Sequence, residues 1–324
     1  MQAWLDKIKD IKNHKQNVPI LFMMIGLPAS GKSYVAEQIK DENTVVHSSD
    51  EIRKELFGDE NSQENNQCVF DTLHKRIKND LYSGKNVVFD ATNVNKKRRI
   101  SFLEYLNNIS CYKVAVCVMT PYENCILRNL QRGRVVPSEV MIKMYKSWTP
   151  PYYHEGFDDL IIVDNSTTKI HLTVNELFEG TDGLNSFDQH NEHHSLSLGS
   201  HCKAAAEYNH EKFPYSILLY YASLFHDIGK AYTQSKYNSK GIEDGNYHYY
   251  SHQNVGAYEA LFYMPELHIG DSGALYISNL IYYHMHPYLS WAQSPKALSR
   301  DRARIGEVMY NDILRLHQAD VSAK

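Results

Sequence analysis

The sequence predicts two domains: an α/β domain whose parallel sheet is covered by helices on both faces, followed by an all-α domain. Three observations carry this prediction. Residues 1–180 alternate short apolar runs with amphipathic stretches. A glycine-rich loop, Gly26-Leu27-Pro28-Ala29-Ser30-Gly31-Lys32-Ser33, joins the first apolar run to the amphipathic stretch that follows it. Beyond residue 180 the helical period stands alone, and that part holds 12 of the chain's 17 histidines.

Residues 1–9 predict a short amphipathic helix with no apolar signal core. Residues 19–25 are apolar apart from the opening proline and predict a strand buried on both faces. The glycine-rich loop then opens a helix over residues 32–40. Further strands are predicted at 45–48, 87–89, 113–119 and 160–163. Helices are predicted at 50–57, 65–81, 96–106 and 121–130, the last with proline in its first turn. Turn residues replace periodicity over 180–190, which sets the domains at 1–180 and 181–324. The second domain predicts no alternating strand, and residues 235–249 predict a long polar loop.

No apolar run reaches the ~18 residues that cross a bilayer, so no membrane partner is expected. The five cysteines form no CxxC pair, and an odd count without a spacing pattern suits a reducing cytoplasm. Residues 1–180 hold 23 basic and 23 acidic side chains, while residues 181–324 hold 11 and 15 and carry the whole net charge of −4. Neither part is basic enough to establish nucleic-acid binding. The run Lys96-Lys97-Arg98-Arg99 is the candidate patch, and a solvated helix start is the alternative reading.

Gly26, Gly31, Lys32 and Ser33 complete the pattern GxxxxGK[ST], between a buried strand and a helix as that pattern requires. Backbone N–H groups of such a loop, Ser30 included, wrap phosphate oxygens, and the helix N-terminus adds positive potential. Lys32 would bridge the β and γ phosphates of ATP, and Ser33 would ligate Mg²⁺. Asp50 follows the second strand, at the sheet edge where ligands bind, and a kinase needs such a carboxylate to take the acceptor's proton. Arg53 shares its helix face. The bland alternative is a helix cap with a surface arginine. Asp90 ends the neighbouring strand and either orients Arg53 or holds Mg²⁺. Arginines 128, 132 and 134, in a segment that carries Gly133 and ends at Pro137, suggest a lid over the triphosphate.

These pieces resemble the 5′-hydroxyl polynucleotide kinase family, as in the kinase module of the phage RNA end-healing kinase-phosphatase. The matching residues are Gly26 to Ser33, Ser49-Asp50 with Arg53, Asp90-Ala91-Thr92-Asn93 with Arg98-Arg99, and Arg128-Asn129, Arg132-Gly133, Pro137 and Met144-Tyr145-Lys146-Ser147. They span residues 18–165 in the family's order. The resemblance implies Asp50 as general base, Arg53 as acceptor-phosphate ligand with Asp90, Thr92 and Asn93 beside it, and Arg132 as the lid arginine on ATP. The lid is one residue shorter here between Arg132-Gly133 and Pro137, which leaves Arg134 without a role. The wider family includes kinases of small hydroxyl compounds.

Metal-dependent phosphohydrolases converge imidazoles and carboxylates on one or two divalent ions. The candidates are His201, His226, Asp227, His252, His284 and Asp320, dispersed as ligands on facing helices would be. His226-Asp227 closes an apolar helix, which suits a helix end at a metal better than a packed core. His190, His193, His210, His248, His268 and His317 read as ordinary surface or core histidines. His194 and His286 are open. This half resembles the HD phosphohydrolase superfamily, in particular the HD region of bacterial tRNA nucleotidyltransferases. The resemblance rests on the segments around His194 to Cys202, Leu224 to Lys230, Tyr249 to Ala257, Ile281 to His284 and Ala319-Asp320. It implies His201, His226, Asp227 and Asp320 as core metal ligands, His252 and His284 as ligands of a second ion, and Lys230 as a contact to substrate phosphate. Gln253 stands where that family usually has Glu. The ligand types admit Mn²⁺, Fe²⁺, Co²⁺, Ni²⁺ or Zn²⁺.

Three functions fit these features. A bifunctional end-healing enzyme would phosphorylate 5′-OH ends of RNA or DNA and hydrolyse a 2′- or 3′-phosphate or a 2′,3′-cyclic phosphate, with an RNA ligase as functional partner. A small-molecule kinase fused to a nucleotidase would act in salvage, and would not need Arg53 and the basic run. A nucleotide sensor without turnover would not need every metal ligand. The first reading is the expectation.

Overall fold

A computed structural model describes residues 3–59, 65–166, 173–189 and 196–323. The chain divides into two compact units, Met1–Met144 with Pro151–Thr168, and Tyr145–Pro150 with Lys169–Lys324.

The first unit runs α1 (Ala3–His14), β1 (Ile20–Ile25), α2 (Lys32–Ile39), β2 (Thr44–Ser48), α3 (Ser49–Phe57), α4 (Asn66–Tyr82), β3 (Asn86–Asp90), α5 (Lys96–Tyr105), β4 (Tyr112–Met119), α6 (Tyr122–Leu130), α7 (Ser138–Lys146) and β5 (Asp159–Asp164). The five strands are parallel, in the order β2-β3-β1-β4-β5. Every residue of β1 is buried, as its unbroken apolar run demands. Trp4, Ile8, Val35 and Ile39 pack on one face of the sheet against Phe22 and Met24. On α4 and α5, His74 and Phe102 meet Phe89 of β3 edge-on. Burying each such large side chain contributes roughly 1.5–3 kcal/mol. Parallel strands put all carboxyl ends at one edge, so β1 delivers the glycine-rich loop, β2 delivers Asp50 and β3 delivers Asp90 to the same side.

The second unit runs α8 (Val174–Glu179), α9 (Leu198–Lys212), α10 (Ile217–Phe225), α11 (Lys230–Thr233), β6 (Ser235–Tyr237), β7 (Glu243–His248), α12 (His252–Glu259), α13 (Asp271–Tyr283), α14 (Ser290–Gln293) and α15 (Pro295–Ser322). One expectation is corrected. Residues 235–249 were expected as loop but form an antiparallel hairpin. Its strands are largely exposed and polar, so no apolar alternation marks them. Turn chemistry holds it: Asn238 N–H donates to the Ile242 carbonyl, Asn238 Oδ1 accepts from the N–H groups of Lys240 and Ile242, and Gly241 takes φ 75°. The last helix, Pro295–Ser322, is broken into two pieces at Gly306, which takes φ 80°. Among the described residues no helix is long and apolar enough to cross a membrane.

Candidate active sites

Gly31 precedes α2 at φ 93°, a conformation that favours glycine. A Cβ there would also lie 2.0 Å from Asn165 Nδ2. The Ser30 carbonyl accepts from Thr120 Oγ1 at 2.9 Å and Asn165 Nδ2 at 2.8 Å. Arg128 braces the same corner, donating through Nη2 to the Asn165 carbonyl at 2.6 Å. In a trans peptide, fixing the Ser30 carbonyl turns the Gly31 N–H to the opposite side, so the clamp pre-sets one donor of the loop.

Lys32 is buried, and its ammonium donates to the Leu27 carbonyl at 2.7 Å. Burial lowers its pKa, while the Asp90 carboxylate opposes that shift. Ser33 Oγ donates to Asp90 Oδ2 at 2.7 Å. Burial raises the Asp90 pKa, with Lys32 acting against it. Of the two roles open to Asp90, its placement is the one beside Ser33.

The cap of α3 is Ser48, whose hydroxyl accepts from Asp50 N–H at 3.2 Å, so the cap alternative for Asp50 falls away. Its carboxylate is instead the meeting point of two arginines. Arg53 Nη1 lies 2.8 Å and Arg134 Nη1 2.5 Å from the same Oδ1. Arg53 Nη2 donates to Asn66 Oδ1 at 3.0 Å. The loop expected as a lid is pinched at its base, where the Asn129 amide donates to the Val136 carbonyl and accepts from its N–H. Arg132 is exposed on that loop, and its charge acts on Lys32 and Asp90. Two acceptor-site candidates are held by the backbone. Thr92 uses its carbonyl to accept from Gly26 N–H at 3.0 Å, and Asn93 spends its amide on the Met24 carbonyl at 2.9 Å.

The expected basic patch is smaller than its sequence. Arg99 is buried in a bidentate pair with Glu155, at 2.8 and 2.7 Å, because positions 99, 102 and 103 share one helix face and Phe102 and Leu103 are core. Lys96 pairs with His154 at 2.7 Å. Lys97 and Arg98 are exposed.

In the second unit the six metal candidates meet. His201 lies on α9, His226 caps α10 with Asp227 next, His252 opens α12, His284 caps α13 and Asp320 lies on α15. The Asp227 carboxylate reaches both ways: Oδ2 lies 3.5 Å from His201 Nε2 and from His226 Nε2, while Oδ1 lies 3.4 Å from His252 Nε2 and 3.5 Å from His284 Nε2. Asp320 Oδ1 lies 3.2 Å from His201 Nε2 and 3.5 Å from His226 Nε2. Each imidazole offers Nδ1 to a carbonyl: His201 to Ala323, His226 to Ser223, His252 to Tyr249 and His284 to Ile281. Carbonyls only accept, so each Nδ1 carries a proton and each ring turns its Nε2 inward. Two pairs of these nitrogens lie 3.2 Å apart. Such buried nitrogens and carboxylates require a shared proton or a cation, and the donor set fits two divalent ions sharing Asp227.

Electrostatics follow from this crowding. Burial works against a charged His201, but Asp227 and Asp320 outweigh it and raise its pKa to about 9. Burial, helped by His284, lowers His252 to about 4. The Asp227 carboxyl is held well below the usual range, against the desolvation of its site, by Lys230 and the histidines. Lys230 Nζ lies 2.6 Å from Asp227 Oδ2 and 2.9 Å from Gln189 Oε1. Gly229 has a packing reason: a Cβ there would come 2.0 Å from the His252 carbonyl.

Some partners carried no sequence signal. Tyr288 donates to Asp320 Oδ2 at 2.9 Å, yet it is one of 24 tyrosines. Its neighbour His317 lies edge-on at 4.3 Å, nearer the cluster than its reading as an ordinary histidine implied. Asn165 was legible in part, as a polar residue just past an apolar strand. His190, His193 and His194 lie outside the described residues.

Residues 21–151 match a family model described as an AAA domain. The L-seryl-tRNA(Sec) kinase of Methanococcus maripaludis is 25% identical over 174 residues, covering 51% of this chain and 68% of that protein. Among solved structures, a chain of the Pnkp1/Rnl/Hen1 RNA repair complex is 24% identical with a TM-score of 0.34, covering 41% of this chain and 45% of that one. A gluconokinase from Sinorhizobium meliloti 1021 is 19% identical with a TM-score of 0.32, covering 45% and 82%. The first unit is a kinase-like P-loop domain.

Proposed function

We propose that this chain is a bifunctional nucleic-acid end-healing enzyme, a polynucleotide 5′-hydroxyl kinase joined to an HD-type metal phosphohydrolase. The observation that carries the reading is the pairing, on one chain, of a base-and-arginine acceptor site at a phosphate loop with a buried four-histidine, two-carboxylate cluster.

In the first unit the loop from Gly26 to Ser33, with Lys32 and Asp90, would hold ATP and Mg²⁺, which supply the phosphoryl group and neutralise its charge. Asp50 takes the proton of the acceptor hydroxyl, Arg53 holds the acceptor by its phosphate, and Arg132 answers charge on the transferring group. The seryl-tRNA kinase match supports an acceptor hydroxyl borne by RNA.

In the second unit His201, His226, Asp227 and Asp320 would hold one divalent ion, and His252, His284 and the other Asp227 oxygen a second. Bound there, such ions supply hydroxide at neutral pH. The protein's own residues orient every Nε2 through the Nδ1 bonds, and Lys230 stands ready for a phosphate oxygen. A terminal 2′- or 3′-phosphate, or a 2′,3′-cyclic phosphate, is the matching substrate. An RNA ligase would consume the healed ends.

A second reading, a kinase of a small hydroxyl compound fused to a nucleotidase, gains from the pairing of Arg99 and Lys96 inside the protein, which thins the strand-binding patch. The test is RNA carrying 5′-OH and 2′,3′-cyclic phosphate ends, incubated with ATP, Mg²⁺ and Mn²⁺. Gain of a 5′-phosphate with opening or loss of the terminal phosphate is expected, and both ends unchanged contradicts the reading.

A further inference from the structure

Asp50 Oδ1 receives two guanidiniums, one from the buried Arg53 and one from Arg134 on the lid loop. Two cations on one carboxylate leave an excess positive charge. The cations are the sheltered partners, with side chains 6% and 14% exposed, while that of Asp50 is 40% exposed. Arg53 Nε is buried with no hydrogen-bond partner among the described residues. A buried guanidinium donor without an acceptor is costly, and a phosphate oxygen is the acceptor that guanidinium forks match best.

Arg134 is distinct in placement from its lid neighbour. Arg132 is among the charges that act on Lys32 and Asp90, whereas Arg134 is paired with Asp50. We infer that Arg134 is a second acceptor-binding residue, which joins Arg53 in seating the phosphate ester next to the accepting hydroxyl and occupies Asp50 until that phosphate arrives. The inference rests on the kinase reading above and deepens it, naming a nucleotide-borne phosphate as the recognised group. When the phosphate draws Arg134 away, Asp50 keeps one cation, Arg53 on Oδ1, and its carboxylate is open to the hydroxyl.

The test uses the full-length protein, ATP with Mg²⁺, and two oligonucleotides with a 5′-OH, one with an ordinary first linkage and one with a neutral methylphosphonate there. Arg134→Ala should raise KM for the ordinary oligonucleotide on the order of tenfold or more, leave KM for ATP unchanged, and spare the methylphosphonate acceptor. Arg134→Lys, which keeps the charge and loses the fork, should fall between. A rise in KM for ATP with acceptor KM unchanged, or equal losses on both acceptors, overturns the inference alone. If the wild-type protein labels no oligonucleotide, the kinase reading falls and takes this inference with it.

Discussion

Ser33 donates its hydroxyl to Asp90, Oγ to Oδ2 at 2.7 Å, tying the first turn of α2 to the end of β3. Phosphate loop and strand carboxylate therefore act as one unit. Asp90→Asn keeps the shape and removes the charge. Phosphoryl transfer should fall by roughly a hundredfold or more, with a higher Mg²⁺ requirement. Rates measured across a Mg²⁺ titration check this, and an unchanged profile would assign Asp90 a packing role only.

Arg99 and Glu155 are fully buried partners. Arg99→Ala strands a buried carboxylate and should destabilise the protein by about 3–5 kcal/mol. Lys97→Ala and Arg98→Ala, at exposed positions, should stay within about 0.5 kcal/mol. Urea unfolding of the three variants separates them, and equal midpoints would contradict the buried pair.

Asp227 faces all four imidazoles. Mn²⁺ should bind the chelator-treated protein and raise its melting temperature, since a ligand at 100 times its Kd stabilises by about 2.7 kcal/mol. Asp227→Ala should abolish both effects and leave ATP-dependent phosphoryl transfer intact. Calorimetric titration with Mn²⁺ measures it, and undiminished binding by the variant would place the ions elsewhere.

His74 is packed among Phe70, Phe89 and Phe102, and burial lowers its pKa below the ordinary 6.5. Below pH 6.5 the unfolded chain therefore takes up a proton that the folded one refuses. This group's contribution to stability is present above that pH and is lost as pH falls from 6.5 toward the depressed folded value. His74→Phe should flatten that part of the pH–stability curve. Urea midpoints over about pH 5 to 8 for both proteins check the difference, and parallel curves would refute it.

The phosphate loop and the sheet were legible because their signals are local: a spaced glycine pair, and apolar runs with no polar face. The six candidate metal ligands were legible as residue types, but their meeting depends on five helices and a shared Asp227 that no local pattern encodes. Arg99 was misread because a charge run suggests solvent, although its spacing to Phe102 and Leu103 already placed it on the core face. Its partner Glu155 lies 56 residues away. The hairpin was missed because turn bonds, not burial, hold it. Tyr288 reaches Asp320 across 32 residues with nothing nearby to mark it.

The central claim is that one chain carries two separable phosphate chemistries on nucleic-acid ends. The direct measurement is transfer of labelled γ-phosphate from ATP to a 5′-OH RNA oligonucleotide, beside a DNA oligonucleotide and a free nucleoside, for wild type, Lys32→Ala, Asp50→Ala and Asp227→Ala. Label should enter the oligonucleotide with wild type and Asp227→Ala, and vanish with Lys32→Ala and Asp50→Ala. Label confined to the nucleoside, or loss of transfer with Asp227→Ala, would contradict the account.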